Sequence, residues 1–135
     1  MIVGVGIDLC DISRIQNTLL KYGNRFKKRC FTSKEIDKCD KVKNSAACFA
    51  KRFAAKEAVS KALGTGIRQG VFWKHIEVIN KKSGKPDVIL KATALDVLNK
   101  LIKSNYTAKI SVTITDEKGI AQALVIIESI KENSL

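Results

Sequence analysis

The chain opens on an apolar run, Ile2, Val3, Val5 and Ile7, broken only by Gly4 and Gly6. Branched residues in close succession predict a buried strand, and the interleaved glycines predict that another backbone comes close to it. Asp8 terminates the run, which places a lone carboxylate at the strand's end. Ile12, Ile15 and Leu19 follow at helical spacing behind Asp11, a fitting N-cap, with Gly23 as a stop. Thr32-Ser33-Lys34-Glu35 carries the capping-box pattern, so a short helix is expected there, followed by a loop over 40–44. From Ser45 to Leu63 the recurrence of Ala46, Phe49, Ala50, Phe53, Ala54, Ala58 and Ala62 predicts a long helix with one tightly packed face, ended by Gly64.

Residues 75–82 alternate around Ile76 and Val78, another strand begins near Asp87, and Ser83-Gly84-Lys85-Pro86 supplies the hairpin turn between them. Thr93 can cap a helix carrying Leu95, Leu98, Leu101 and Ile102. Two closing strands, 108–115 and 120–128, flank the turn Asp116-Glu117-Lys118-Gly119, and residues 129–135 read as a frayed tail. Strand, helices, two strands, helix, two strands predicts an α+β fold, an antiparallel or mixed sheet packed against the long helix. With 135 residues and no break in composition, residues 1–135 are expected to form one domain.

The charge is uneven. Residues 21–61 hold 13 Lys and Arg against Glu35, Asp37, Asp40 and Glu57, so 13 − 4 = +9 of the net +12 lies in that stretch. Such a patch concentrates an anionic partner: nucleic acid, an acidic protein or a phosphorylated small molecule. The apolar runs are far shorter than the roughly 20 residues of a membrane span, so a soluble, cytoplasmic protein is expected. Cys10, Cys30, Cys39 and Cys48 show no CxxC spacing and the single histidine, His75, is distant, which argues against zinc and favours four reduced thiols.

The candidate chemistry gathers at two places. Glu57 and Lys61, four residues apart, share one helix face, and Gly64-Thr65-Gly66 follows at once, where backbone amides could meet an anion. Should Asp8 approach Glu57, two carboxylates with open positions would suit Mg2+, which takes oxygen ligands and bridges to phosphates. The competing account is a capping Asp8 and a solvated Glu57–Lys61 pair. His75, beside Trp73 and Ile76 in a strand, reads as structural.

Three stretches carry a resemblance: Gly4-Val5-Gly6-Ile7-Asp8, Arg52-Phe53-Ala54-Ala55-Lys56-Glu57-Ala58, and Lys61-Ala62-Leu63-Gly64-Thr65-Gly66. They are similar to the signatures of the holo-acyl-carrier-protein synthase family, the small bacterial type of 4′-phosphopantetheinyl transferase, and the likeness extends in order through Gly84-Lys85-Pro86 to the closing hairpin. The resemblance implies transfer of 4′-phosphopantetheine from coenzyme A to a serine of apo-acyl carrier protein, a step of fatty acid biosynthesis, with adenosine 3′,5′-bisphosphate released. It implies Asp8 and Glu57 as Mg2+ ligands, Lys61 as the cation that neutralises developing phosphoryl charge, and Glu57, directly or through a metal-bound water, as base for the serine. It assigns Arg52, Lys61, Gly64, Thr65 and Gly66 to the nucleotide. Arg14, Lys21, Arg25, Phe26 and Arg29 fall to carrier-protein docking, and the assembly implied is a homotrimer with active sites between subunits.

One departure stands out. Where the family commonly closes a Ser-Ile-Thr-His stretch with histidine, this chain reads Ser111-Val112-Thr113-Ile114, so no task of that imidazole carries over. Two rival classes remain. A nucleic-acid-binding module would use the basic patch, but the strand that should present stacking aromatics has none. A silent relative that only binds carrier protein is the other.

Overall fold

The computed structural model describes residues 1–133, and the rest of the tail, residues 134–135, lies outside the described residues. In chain order the elements are β1 (Ile2–Asp11), α1 (Ile12–Tyr22), α2 (Asn24–Cys30), α3 (Ser33–Lys41), α4 (Ser45–Ala62), a 3-10 turn (Trp73–His75), β2 (Ile76–Asn80), β3 (Pro86–Leu90), α5 (Ala92–Leu101), β4 (Tyr106–Glu117) and β5 (Ile120–Lys131). The strands form an antiparallel sheet in the order β1-β5-β4 and a separate antiparallel pair, β2-β3. The α+β expectation holds, with α4 as the axis on which β1 and β5 pack.

Alternation explains how the sheet meets α4. On β5, Ala121, Ala123, Val125 and Ile127 point inward and are buried. They are small enough, with Ala50, Ala54, Ala55 and Ala58 on α4, to bring sheet and helix close together. Gly4 and Gly6 continue that inner face on β1, and a Cβ at either would run into the α4 backbone, at the Ala62 carbonyl for Gly4 and the Ala58 carbonyl for Gly6. The glycines therefore serve close approach, as the sequence predicts. On the opposite face Val5, Ile7 and Leu9 stand at 57%, 50% and 64% exposure, an apolar strip without cover in the single chain.

Beneath the helices, Phe31 and Phe49 are buried with ring centroids 4.9 Å apart. A buried ion pair ties the layers together: Lys56 Nζ lies 2.7 Å from Glu35 Oε1 and also donates to the carbonyls of Trp73 and Ile76. Glu35 in turn accepts from Thr32 N, closing the predicted capping box, and from Val78 N of β2. One carboxylate thus caps α3, neutralises a buried lysine and anchors a strand.

Several expectations need correction. β1 runs on through Asp8 to Asp11, because pairing with β5 continues past the apolar run, so Asp8 lies within the strand opposite Ala123. β5 extends to Lys131 on the same ground, its pairing with β4 reaching Tyr106, so 129–131 are not frayed. α5 starts at Ala92 behind Lys91 rather than behind Thr93, and His75 sits in the 3-10 turn ahead of β2 rather than in the strand. A further helix, α2, fills 24–30, a stretch whose sequence lacks a capping signal.

The cysteine expectation also fails for one pair. Cys39 and Cys48 form a disulfide, with Cα atoms 5.4 Å apart, while Cys10 and Cys30 remain buried free thiols. The reason is local. Cys39 stands in the last turn of α3 and Cys48 in the first turn of α4, and the connection between the helices is short enough to fold them side by side.

Candidate active site

The glycine contact fixes where Asp8 falls. Gly4, Gly6 and Asp8 alternate onto the same face of β1, so the carboxylate follows the two glycines onto α4. There Lys61 Nζ lies 2.8 Å from Asp8 Oδ1 and 3.0 Å from the Ile7 carbonyl. The lysine pairs across to the strand, not back to Glu57 along its helix. Glu57, one turn earlier on α4, accepts a hydrogen bond from the indole Nε1–H of Trp73 at 2.9 Å. Thus each carboxylate has one oxygen engaged, and among the described residues neither Asp8 Oδ2 nor Glu57 Oε2 has a hydrogen-bond partner.

Cys10 reports on the same corner. Burial pushes its thiol up to about 11; Arg14 opposes that rise, and the charges of Asp8, Asp11 and Glu57 add to it. Both candidate carboxylates therefore act on one buried sulfur. Along the inner face, Ile114 of β4 pairs with Ala123 of β5, which pairs with Asp8 of β1. The residue at the departure thus shares a cross-strand row with Asp8, about 10 Å away at the usual strand spacing.

The donor set suits a hard divalent cation. Two carboxylates offering one open oxygen each match Mg2+, which keeps several waters and needs few protein ligands. Among the described residues no group of three or more His, Cys, Asp or Glu is placed to hold a metal. Any metal at this corner would therefore be held by carboxylates and completed by water and substrate.

Glu57, Lys61, Gly64, Thr65 and Gly66 line one cavity of about 510 Å³, together with Ile67 and Arg68. The anticipated role of the glycine amides is not available. Gly64 N donates to the Lys61 carbonyl and Gly66 N to the Ser60 carbonyl, both at 3.0 Å, and Gly64 and Gly66 take positive φ of 88° and 65° to do so. A helix C-terminus leaves carbonyls in need of donors, so the amides of Gly64 and Gly66 are spent on closing α4. Positive charge at this cavity comes from Lys61 and Arg68.

Arg52 is elsewhere. It is buried, donates to Asn80 Oδ1 at 3.1 Å and to Cys48 Sγ at 3.3 Å, and its Nε is buried without a partner. With Lys38, Lys51, Asn80 and Asp116 it lines a second cavity of about 430 Å³ that shares no residue with the first. Within one chain the structure does not bring Arg52 to Lys61 and the Gly64–Gly66 turn. Burial holds its guanidinium below the usual arginine range, and Glu35 works against that.

Three of the five docking candidates share one cavity. Arg14 and Lys21 are exposed on α1, while Arg25, Phe26 and Arg29 of α2 line a cavity of about 400 Å³ with Thr18 and Tyr22. Two residues of the site escaped sequence reasoning. Asn80 holds Arg52, and Trp73 holds Glu57 from 16 residues away. The one available signal for Trp73 was chemical: a half-buried indole N–H needs an acceptor.

These features agree with comparison to known proteins. A family model described as the 4′-phosphopantetheinyl transferase superfamily matches residues 4–118, a span that holds Asp8, Arg52, Glu57 and Lys61. A holo-(acyl-carrier-protein) synthase of Sinorhizobium fredii is 54% identical over 130 residues, covering 96% of this chain and 94% of that protein. Among solved structures, the holo-(acyl-carrier-protein) synthase of Neisseria meningitidis superposes with a TM-score of 0.82 at 33% identity, covering 95% of this chain and 99% of that one. That of Bacillus anthracis, solved in complex with CoA (3′,5′-ADP), superposes at 0.75 with 35% identity, covering 96% and 98%. The chain belongs to the 4′-phosphopantetheinyl transferase superfamily.

Proposed function

We propose that this chain is a holo-(acyl-carrier-protein) synthase, transferring 4′-phosphopantetheine from coenzyme A to a serine hydroxyl of apo-acyl carrier protein and releasing adenosine 3′,5′-bisphosphate. One observation carries the reading: Lys61 of α4 pairs with the half-open carboxylate of Asp8 on β1, one helical turn beyond the half-open carboxylate of Glu57, inside the span that the superfamily matches. Near-complete coverage of named synthases supports the activity, and the coenzyme A complex of a relative supports the donor.

Asp8 and Glu57 are the residues that would hold Mg2+, and the ion when bound supplies charge withdrawal from the diphosphate link of the donor. Lys61 places an ammonium group at the same corner to take up negative charge on a phosphoryl oxygen as the carrier serine attacks. Glu57, directly or through a bound water, accepts the serine proton. No imidazole takes part, since β4 offers Ile114 in the row of Asp8.

Arg14, Lys21, Arg25, Phe26 and Arg29 offer a largely cationic surface to the carrier, an acidic helical protein, and opposite charge raises the encounter rate and sets orientation. A homotrimer with sites between subunits accounts for two further features. The uncovered strip Val5, Ile7 and Leu9 asks for a partner surface. The Arg52 and Lys61 cavities, separate in one chain, become halves of one nucleotide site if they face each other across a subunit boundary. The donor is an intracellular metabolite, which puts the reaction in the cytoplasm as one step of fatty acid biosynthesis.

The decisive experiment is mass spectrometry of apo-carrier protein incubated with the enzyme, coenzyme A and Mg2+. The expected product is carrier with one phosphopantetheine on its serine, formed only when the metal is present. A carrier of unchanged mass under these conditions would remove the proposal.

A further inference from the structure

Trp73 makes contacts that packing alone does not require. Its indole N–H donates to Glu57 Oε1 at 2.9 Å, and its backbone carbonyl accepts from Lys56 Nζ at 3.0 Å. Adjacent residues of α4 thus grip one tryptophan by its side chain and its main chain. The plane of the ring is fixed as well. Phe53 stacks on it with centroids 6.0 Å apart and planes 27° from parallel, and the Arg29 guanidinium stands 5.9 Å from its centroid. An indole has a single donor, and here that donor is directed at the one carboxylate of α4 that faces the candidate reaction corner.

A carboxylate on a helix surface can turn about its side-chain torsions, and a metal or a proton acceptor works only when the oxygen is held in place. The Trp73 contact removes that freedom by engaging Oε1, which leaves Oε2 as the sole open oxygen of Glu57. We infer that Trp73 is a positioning residue for the transfer reaction, orienting Glu57 so that Oε2 faces the divalent cation. The inference rests on the function proposed above and adds to it a residue that acts only through Glu57. Arg29, assigned to the carrier-docking surface, lies over the same ring, so the docking surface and the carboxylate share one aromatic.

The test separates orientation from folding. Trp73→Phe keeps an aromatic ring against Phe53 and Arg29 and removes the donor together with the second ring, whereas 3-benzothienylalanine at position 73 removes the donor alone. The expected variant folds with an unchanged circular dichroism spectrum and keeps its KM for coenzyme A. Its apparent Mg2+ affinity and kcat fall by about 10- to 100-fold, the usual consequence of losing a hydrogen bond that orients a metal ligand. A second readout needs no turnover: the chain has one tryptophan, so its emission reports on this contact directly. Titrating Mg2+ into the protein without coenzyme A should change that emission saturably, and Glu57→Ala should abolish the change.

Unaltered kcat and Mg2+ dependence in Trp73→Phe, or emission blind to Mg2+ in an active wild-type protein, would overturn the inference while leaving the proposed function standing. A wild-type protein unable to modify any carrier would sink the proposed function, and the emission titration would then decide on Trp73 by itself. If Trp73→Phe does not fold, incorporation of 3-benzothienylalanine at position 73 gives the same comparison, since it retains the bicyclic ring and lacks the N–H.

Discussion

Two lysine–carboxylate pairs sit within five residues on α4 and behave as opposites. Lys56 and Glu35 are both buried, at 0% and 1% side-chain exposure, and every charged atom of the lysine faces an acceptor: Glu35, the Trp73 carbonyl and the Ile76 carbonyl. Lys61 and Asp8 meet at the same distance scale, 2.8 Å, but the lysine is half exposed and the carboxylate keeps an oxygen open. The inner pair is closed and holds elements together. The outer pair is open, with capacity left for a ligand. A computed attraction between opposite charges would not distinguish them; saturation of hydrogen-bonding capacity does.

The largest contrast comes from breaking one member on each side. Glu57→Gln, at the open corner, should lower carrier modification by about 10²- to 10⁴-fold while the thermal unfolding midpoint stays near wild type. Steady-state transfer and differential scanning calorimetry together check this. Retained turnover would exclude Glu57 as base and ligand. Lys56→Ala, only one residue away, should do the reverse. It leaves Glu35 as a buried unpaired carboxylate, with an expected loss of about 3–5 kcal/mol in urea unfolding. A Lys56→Ala protein of wild-type stability would show that the inner pair is not closed in solution.

A smaller effect belongs to the Cys39–Cys48 link, which fastens the N-terminal turn of α4 to α3 and touches Arg52. With a sequence separation of 9, chain-entropy arguments limit its contribution to about 2–3 kcal/mol. Dithiothreitol should lower the unfolding midpoint of the wild type and leave a Cys39→Ser variant unaffected. Equal shifts in both would place the reductant's action elsewhere.

How much of this was readable in advance depends on the range of the interaction. β1, α1, α3 and α4 follow from local signals, since caps at Asp11 and Thr32 and the alanine spacing of α4 act within a few residues. The glycines of β1 announced a close neighbour but could not name α4, and Asp8 looked terminal because strand pairing with β5, more than 100 residues on, extends β1 beyond its apolar part. Glu57 and Lys61 were visible as a helical pair; that Lys61 would choose Asp8 instead was not, because that choice depends on where β1 crosses. Where the glycine amides of Gly64-Thr65-Gly66 point was hidden for a different reason. Glycines that free amides for an anion and glycines that satisfy a helix end look alike in sequence, and only the direction of the N–H groups separates them. The Trp73–Glu57 bond has no short-range signature at all, and the Cys39–Cys48 contact follows only once the short turn between α3 and α4 is known.

The mildest prediction concerns a thiol within the field of the inner lysine. Cys30 is buried at 2% exposure, and burial pushes its thiol up to about 11; Lys56 and Arg29 oppose that rise, and Glu57 adds to it. Its ordinary value is 9.0, so between pH 9 and 11 the folded chain keeps a proton that the unfolded chain has released. Stability from this group is therefore complete below pH 9 and declines as the pH climbs towards 11. The same shift makes the sulfur a poor nucleophile at neutral pH. Iodoacetamide should leave Cys30 unmodified at pH 8 and alkylate it with a midpoint near 11, and a Lys56→Met variant should move that midpoint upward because the opposing cation is gone. Since the field of Lys56 falls as its separation from the sulfur grows, the size of that movement measures how firmly the inner pair is held in place. A midpoint that stays put would mean that Lys56 is screened from Cys30, and the closed character assigned to the inner pair would then rest on Glu35 and the two carbonyls alone.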